Sequence, residues 1–241
     1  MNDPIQDSLL RRYAAAQTSR GRLLLKLHLL QQRLRAQWFI YGADLVKRGF
    51  DVLVSAFFLL LLSPLFGLIA LAVWVEDGGA IFFAQTRVGR YGRPFKMYKI
   101  RSMCLDAEQR LEEVWKRNQH KEGITFKIKD DPRITRVGKW LRKYSFDELP
   151  QLYNVLIGDM SLVGPRPPVP REVAMYSLAD RRRLAARPGI TCVWQISGRS
   201  EIDFSGQVKL DVDYIEKQSF WMDLQILART VPAVMSGKGA C

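Results

Sequence analysis

At 241 residues the chain can bury a substantial core in one domain, and its net charge of +13 with a pI near 9.9 suits a polyanion, an anionic membrane surface or phosphorylated substrates. Cys104, Cys192 and Cys241 are too scattered for a zinc cluster or a disulfide framework and fit a reducing compartment, while two histidines, His28 and His120, offer little to histidine-based catalysis. Any metal is then expected to be a hard cation held by carboxylates and phosphates.

Met1 to Asp7 are polar and acidic, which argues against a cleavable signal peptide. Residues 8–41 read as a basic amphipathic helix: Leu23, Leu27, Leu30 and Leu34 form one stripe, Arg22, Lys26 and Arg33 another, and Trp38, Phe39 and Tyr41 follow. An interfacial helix on anionic lipid and a helix packed against protein both fit this pattern.

From Val52 to Val75 the chain carries no charge for 24 residues, and Ser63-Pro64 lies near the middle. A straight helix of that length would reach about 36 Å, enough to cross a hydrocarbon core about 30 Å thick. Both flanks are basic, with Arg33, Arg35, Lys47 and Arg48 before it and Arg87, Arg90, Arg93, Lys96, Lys99 and Arg101 after it. Basic flanks favour the cytoplasm, so both ends ask for the same side. Pro64 has no N–H for the Leu60 carbonyl and predicts a kink, and the Ser63 hydroxyl is placed to bond a freed carbonyl. A helix-break-helix that enters and leaves by one face satisfies both flanks. A spanning helix with a tolerated proline is the alternative.

Beyond it, residues 80–84 and 95–100 predict strands around a turn at Gly89 and Gly92. Helices are expected over 105–120, 134–144, 173–186 and 214–234, a loop over 158–170, and a strand over 190–197 ending in the turn Gly198-Arg199-Ser200. The overall expectation is an α+β domain with no internal repeat.

Two readings compete at SFDELPQL, residues 145–152. Ser145 and Glu148 have capping-box spacing, and Asp147 would fall in the first helical turn. The same helix terminus would also favour ionised Asp147 and draw phosphate to it, so that one carboxylate attacks phosphorus or holds a metal while the other manages a proton. Lys99 and Arg101 after a strand, Arg166 in Gly164-Pro165-Arg166-Pro167, and Arg199 in its Gly-bounded turn are candidate phosphate ligands, although each alone is more often an ordinary surface cation. Gly89 and Gly92 do not complete a dinucleotide fingerprint, and Asp211-Val212-Asp213 lacks the apolar strand an aspartate phosphatase needs in front of it.

Taken in order, KRGFDV, the apolar run with Ser63-Pro64, QTRVGRYGRPFKMYKIRSM, DPRITRVGKWLRKYSFDELPQLYNVLIGDMSLVGPRPP, RPGITCVWQISGRS and SFWMDLQIL resemble the bacterial sugar transferases, the monotopic polyprenyl-phosphate phosphoglycosyl transferases. The middle segment and WQISGRS are most similar to members that initiate exopolysaccharide or O-antigen synthesis. The resemblance covers residues 47–240 and implies a small cytoplasmic catalytic domain, 47–241, with a re-entrant membrane helix over 50–76, behind an N-terminal extension, 1–46. The implied reaction moves a sugar 1-phosphate from a UDP-sugar to undecaprenyl phosphate at the cytoplasmic face of the inner membrane and releases UMP.

On that resemblance Asp147 matches the nucleophile that forms a covalent phospho-sugar intermediate, with Mg²⁺ beside it. Glu148 matches a residue that assists the metal or takes a proton. Arg166 and Arg199 match phosphate-holding positions, Asp223 a further carboxylate near the site, and Ser63-Pro64 the membrane break. The implied partners are a UDP-sugar, undecaprenyl phosphate and membrane lipid, with no nucleic acid; the sugar and a homo-oligomeric state are left open. Cys192 stands where the family usually has Gly, Lys217-Gln218 where Asn-Trp is common, and Cys241 where Tyr is common, none of them at the Asp147-Glu148 pair. That intact pair, with Arg166 and Arg199, argues against an inactive scaffold, and the apolar run argues against a nucleic-acid-binding protein.

Overall fold

A computed structural model describes residues 17–110, 131–198 and 202–236. Its contacts divide the chain into two units, Met1–Lys47 and Arg48–Cys241. In the first unit the described residues form the opening of helix α1, Ser19–Leu61, which is 43 residues long, while residues 8–16 of the expected amphipathic helix lie outside the described residues. Leu23, Leu27 and Leu30 of the expected stripe are exposed on it.

In the second unit α1 ends at Leu61 and α2, Ser63–Asp77, leaves at 60° to the stretch Gly42–Leu61. The break has the cause expected from the sequence. Pro64 lies in the first turn of α2, and the Ser63 hydroxyl donates to the Leu60 carbonyl at 2.8 Å, the acceptor that proline leaves without its helical partner. No single helix among the described residues is long and apolar enough to cross a membrane; the bent pair passes that test only jointly.

Both legs of the pair are fastened to the same body. On the first leg Arg48 donates to the carbonyls of Val155 and Leu156, the latter at 2.8 Å, and buried Asp51 accepts from the Leu162 amide at 3.2 Å. Phe50 and Val54 pack on a core of Met97, Leu152, Val155, Met160, Leu162, Val163, Tyr214 and Ile226. On the second leg Ile69 and Val73 close a cluster with Ile100 and Leu141. Asp77 pairs with Arg101, and Glu76 accepts from the amides of Arg136 at 2.8 Å and Val137 at 3.3 Å. Between these anchors Leu53, Phe57, Leu60, Leu61, Leu68 and Leu71 remain exposed.

Strands β1, Phe82–Val88, and β2, Pro94–Ile100, form an antiparallel hairpin that pairs Phe83 with Lys99 and Arg87 with Phe95. Helix α3, Arg136–Lys143, is N-capped by Thr135, whose hydroxyl accepts from the Gly138 amide at 2.9 Å. Gly138 permits close approach to the segment after β2: a Cβ there would lie 2.0 Å from the Ser102 carbonyl oxygen. Helix α4, Gln151–Ile157, follows. Its Asn154, fully buried, accepts from the Tyr98 amide at 3.0 Å and donates to the Lys96 carbonyl at 2.7 Å.

Several sequence expectations are corrected here. The expected loop over 158–170 contains a strand, β3, Ser161–Val163, before the short helix α5, Pro170–Ala174. The helix expected over 173–186 is α5 followed by a 3₁₀ segment, Asp180–Ala185. The strand expected over 190–197 is only β4, Gly189–Thr191, parallel to β3, and the chain then turns into helix α6, Val193–Ser197. The final helix is two, α7, Phe204–Lys217, and α8, Phe220–Ser236, parted at Gln218-Ser219. Most of the helix expected over 105–120 lies outside the described residues.

Candidate active site

The turn that carries the two adjacent carboxylates is not the capped helix start suggested by its spacing. Ser145 adopts the left-handed conformation at φ 57° and makes no side-chain cap. Asp147 and Glu148 lie on a single 3₁₀ turn, Phe146–Glu148, and Pro150 separates them from α4. The macrodipole of α4 therefore begins beyond them and fades over its first turn. A left-handed serine is a locally costly conformation, about 1–3 kcal/mol. Contacts on both sides hold it: Phe146 packs beside Leu141 and Ile100, and Glu148 donates its amide to the Ser145 carbonyl at 3.1 Å.

Lys99, on β2, faces the pair. Its Nζ donates to Glu148 Oε1 at 2.7 Å and stands 3.8 Å from Asp147 Oδ2. The register of β2 against the turn comes from Asn154, which grips the strand on either side of Met97. Arg166 approaches Glu148 Oε1 at 4.0 Å from the opposite loop. Lys99, Glu148 and Arg166 border an open cleft together with Arg87 and Gln151, while Asp147 sits behind Glu148 and Lys99 and is not a cleft-lining residue.

The two carboxylates sit in different electrostatic states. Asp147 is 6% exposed, and burial pushes its carboxyl above the usual range; Lys99 and Arg142 pull it back, while the charge of Glu148 pushes further up. Burial acts on Glu148 in the same sense, yet Lys99 and Arg166 outweigh it and hold this carboxyl well below its ordinary value. Glu148 is the settled anion. At Asp147 burial works against the ionised form, and Lys99, 3.8 Å away, offsets it only in part, so its carboxylate is the less stabilised of the two.

The loop bearing Arg166 is fixed from three directions. β3 and β4 pair Ser161 with Gly189 and Val163 with Thr191, and Gly164, just past β3, approaches Gly189 so closely that a Cβ on Gly189 would lie 2.1 Å from the Gly164 nitrogen. Arg87 of β1 donates to the Pro167 carbonyl at 2.9 Å, and the Val88 amide donates to that of Pro168 at 2.9 Å. Behind β3 the Tyr214 hydroxyl bonds the Val163 carbonyl at 3.2 Å and Asp223 Oδ1 at 2.6 Å.

Of the residues singled out in the sequence, Asp147, Glu148, Lys99 and Arg166 come together. Arg101 lies two residues beyond Lys99 and is committed to Asp77 and to the Ala80 carbonyl at 2.5 Å; it does not line the cleft. Asp223 is buried against Tyr214, behind β3, and is not a cleft-lining residue. Arg199 lies outside the described residues. Asp211, set aside on sequence grounds, pairs with buried Arg183. Cys192 is buried too, with its thiol pushed up by burial. Sequence reasoning missed Arg87, Asn154 and Arg142. Within QTRVGR, Arg87 could have been found only through strand alternation, which puts it on the same face as Gln85.

The sequence profile of the bacterial sugar transferases matches residues 42–237. The chain belongs to the bacterial sugar transferase family. Among its relatives is the galactosyl transferase CpsE of Streptococcus agalactiae, 47% identical over 205 residues, which cover 85% of this chain and 45% of CpsE. The exopolysaccharide production protein ExoY of Sinorhizobium fredii is 44% identical over 197 residues, 80% of this chain and 87% of ExoY. The undecaprenyl-phosphate galactose phosphotransferase of Salmonella typhimurium is 41% identical over 208 residues, 81% of this chain and 41% of that protein. This member thus spans less than half of two of these relatives and nearly nine tenths of the third.

Proposed function

We propose that this family member transfers a sugar 1-phosphate from a UDP-sugar to undecaprenyl phosphate, releasing UMP, as the initiating membrane step of exopolysaccharide, capsule or O-antigen synthesis. The observation that carries the reading is the divided carboxylate pair, with one buried, under-partnered Asp147 beside an ion-paired Glu148, bordered by Lys99, Arg87 and Arg166. Phosphoryl transfer asks mainly for positioning and charge neutralisation, and this set supplies both without histidine.

In the first step an Asp147 carboxylate oxygen attacks the β-phosphorus of the UDP-sugar. The bond between that phosphorus and the bridging oxygen breaks, UMP departs with the electron pair, and an aspartyl phospho-sugar remains. In the second step an oxygen of undecaprenyl phosphate attacks the same phosphorus and Asp147 leaves as a carboxylate, giving the diphosphate-linked lipid sugar. Lys99 offsets charge on both carboxylates during attack, and Arg166, 4.0 Å from Glu148 Oε1, is available to hold phosphate oxygens of the donor. Of the two roles expected of Glu148, assisting a cation suits its state, because a carboxyl held this far below its ordinary value is a weak base for the lipid phosphate's proton.

The family implies Mg²⁺. No group of three His, Cys, Asp or Glu capable of holding a metal occurs among the described residues. Two adjacent carboxylates nevertheless suit an ion that takes one or two carboxylates and completes its shell with water and substrate phosphate. Lys99 and Arg166 both address Oε1 of Glu148, and Oε2 has no partner among the described residues. Asp147 and Glu148 would hold the ion, which would neutralise diphosphate charge.

Membrane seating follows from the bent pair. A re-entrant course is supported by Arg48 and Asp51 on one leg and Glu76 and Asp77 on the other, all bonded to the catalytic body, with exposed leucines and phenylalanines between them. Two ends tied to one water-soluble body favour one face of a bilayer. The function is tested by incubating the detergent-solubilised protein with Mg²⁺, undecaprenyl phosphate and a panel of UDP-sugars. UMP release by the wild type, lost in Asp147→Asn, is expected; release that persists in the variant would overturn the assignment.

A further inference from the structure

Arg87 is used by nothing so far except the loop it supports, and its surroundings are unusual for a guanidinium. Nε and Nη2 donate to Gln85 Oε1 at 3.0 and 2.6 Å, and Nη1 donates to the Pro167 carbonyl at 2.9 Å. Guanidinium has five N–H groups. One hydrogen on each Nη is therefore uncommitted among the described residues, and the side chain lines the cleft with Lys99, Glu148 and Arg166. Neutral oxygens hold it, and no carboxylate among the described residues comes within ion-pair distance. Burial, helped by the nearby charge of Arg166, draws this guanidinium down to about 10. A desolvated cation fixed by neutral partners is poorly compensated in the free protein, and an incoming anion would offset that cost.

The geometry also argues against a purely structural role. Holding the Pro167 carbonyl needs one neutral donor, and the Val88 amide already ties the same loop at Pro168. A charged fork kept rigid by Gln85 is more than that task requires. It is what bidentate recognition of phosphate requires, because less rotamer freedom is lost per bond formed.

We propose that Arg87 is a binding residue for the diphosphate of the nucleotide donor, presenting its two uncommitted N–H groups to phosphate oxygens from the β1 wall while Arg166 does so from the facing loop. Arg87, Lys99 and Arg166 bring three positive charges to the cleft, against one from ionised Glu148 and one from Asp147 when it is ready to attack. A diphosphate diester adds two negative charges to that net charge of one positive, and without Arg87 these side chains would offset none of them. This inference rests on the UDP-sugar reading above and assigns one more residue to its recognition.

The test is equilibrium binding of UDP and of UMP to the detergent-solubilised full chain, for the wild type, Arg87→Gln and Arg87→Lys, with thermal melting of each as a control on folding. UDP should bind the wild type more tightly than UMP does. Arg87→Gln should weaken UDP about tenfold or more while changing UMP by less than about threefold, and Arg87→Lys, which keeps charge and loses the fork, should fall between. Equal weakening of both nucleotides would overturn the inference in favour of a role in shaping the loop, and so would UDP affinity unchanged in Arg87→Gln. A wild type that bound neither nucleotide would instead overturn the donor reading itself, and this inference with it.

Discussion

Burial raises both carboxyls of the Asp147-Glu148 pair, and they end in opposite states because Lys99 and Arg166 outweigh it at Glu148 alone. A nucleophilic Asp147 must be ionised, and its carboxyl is raised by burial, so UMP release should fall on the acid side at a pH above the ordinary aspartate range. Lys99→Met removes the cation that lowers it. The acid limb of the pH–rate profile should then move to higher pH, with the plateau down about ten- to a hundredfold. An acid limb that stays put would separate Lys99 from Asp147.

The same shift has a consequence for stability. A raised carboxyl is bound by its proton more tightly in the folded chain than in the unfolded one. Stability therefore declines as pH rises from the ordinary aspartate value to the raised one, and the ionised group remains a cost beyond it. Asp147→Asn should remove that cost, melting higher than the wild type at neutral pH while losing about a thousandfold or more in UMP release. A lower melting temperature would contradict the electrostatic account. At this scale the sequence displayed the acidic pair, Lys99 and Arg166 through their neighbours, but not their division of labour. That division arises from β2 and the turn meeting across 49 positions of chain, which no local spacing records. The capping box failed for a local reason: Ser145 turns left-handed, so its hydroxyl is not presented to the turn.

Among the elements, Asn154 is the joint between α4 and β2. Asn154→Ala would leave the Tyr98 amide and the Lys96 carbonyl unpaired in the interior, costing about 2–4 kcal/mol. Because Lys99 rides on that strand, UMP release should fall beyond what unfolding explains. Chemical denaturation with activity measured on the folded fraction checks both, and a variant stable to within about 0.5 kcal/mol would show the joint to be dispensable. Gly138→Ala is expected to be worse tolerated than an alanine at open Gly67, because the added methyl meets a backbone oxygen at Ser102 that cannot swing aside. Comparing their melting temperatures tests it, and equal values would contradict the packing argument. The bend at Ser63-Pro64 was legible because proline deletes a specific donor. β3 and β4 were not, since three-residue strands among glycines and prolines are too short to alternate, and their partners, Ser161 with Gly189 and Val163 with Thr191, lie far apart in the chain.

For the whole molecule, the helix pair bends by 60°, and both its legs are bonded to one body. The apolar run and its basic flanks announced it; the anchors Arg48, Asp51, Glu76 and Asp77 could not be told in advance from ordinary flanking charges, because their partners lie far along the chain. In a background where serine replaces the native cysteines, Gly49→Cys and Ala80→Cys should both be shielded from an impermeant maleimide in intact cells and both labelled in inverted vesicles. Labelling of either site from outside would replace the re-entrant course with a spanning one.

The central claim is the covalent step at Asp147, and intact mass addresses it most directly. The detergent-solubilised protein is incubated with Mg²⁺ and each of a panel of UDP-sugars without lipid acceptor, beside Asp147→Asn. The account predicts a mass increase equal to one sugar phosphate on the wild type alone, discharged when undecaprenyl phosphate is added. An adduct of the same mass on Asp147→Asn, or UMP release with acceptor in a variant that forms no adduct, would contradict it.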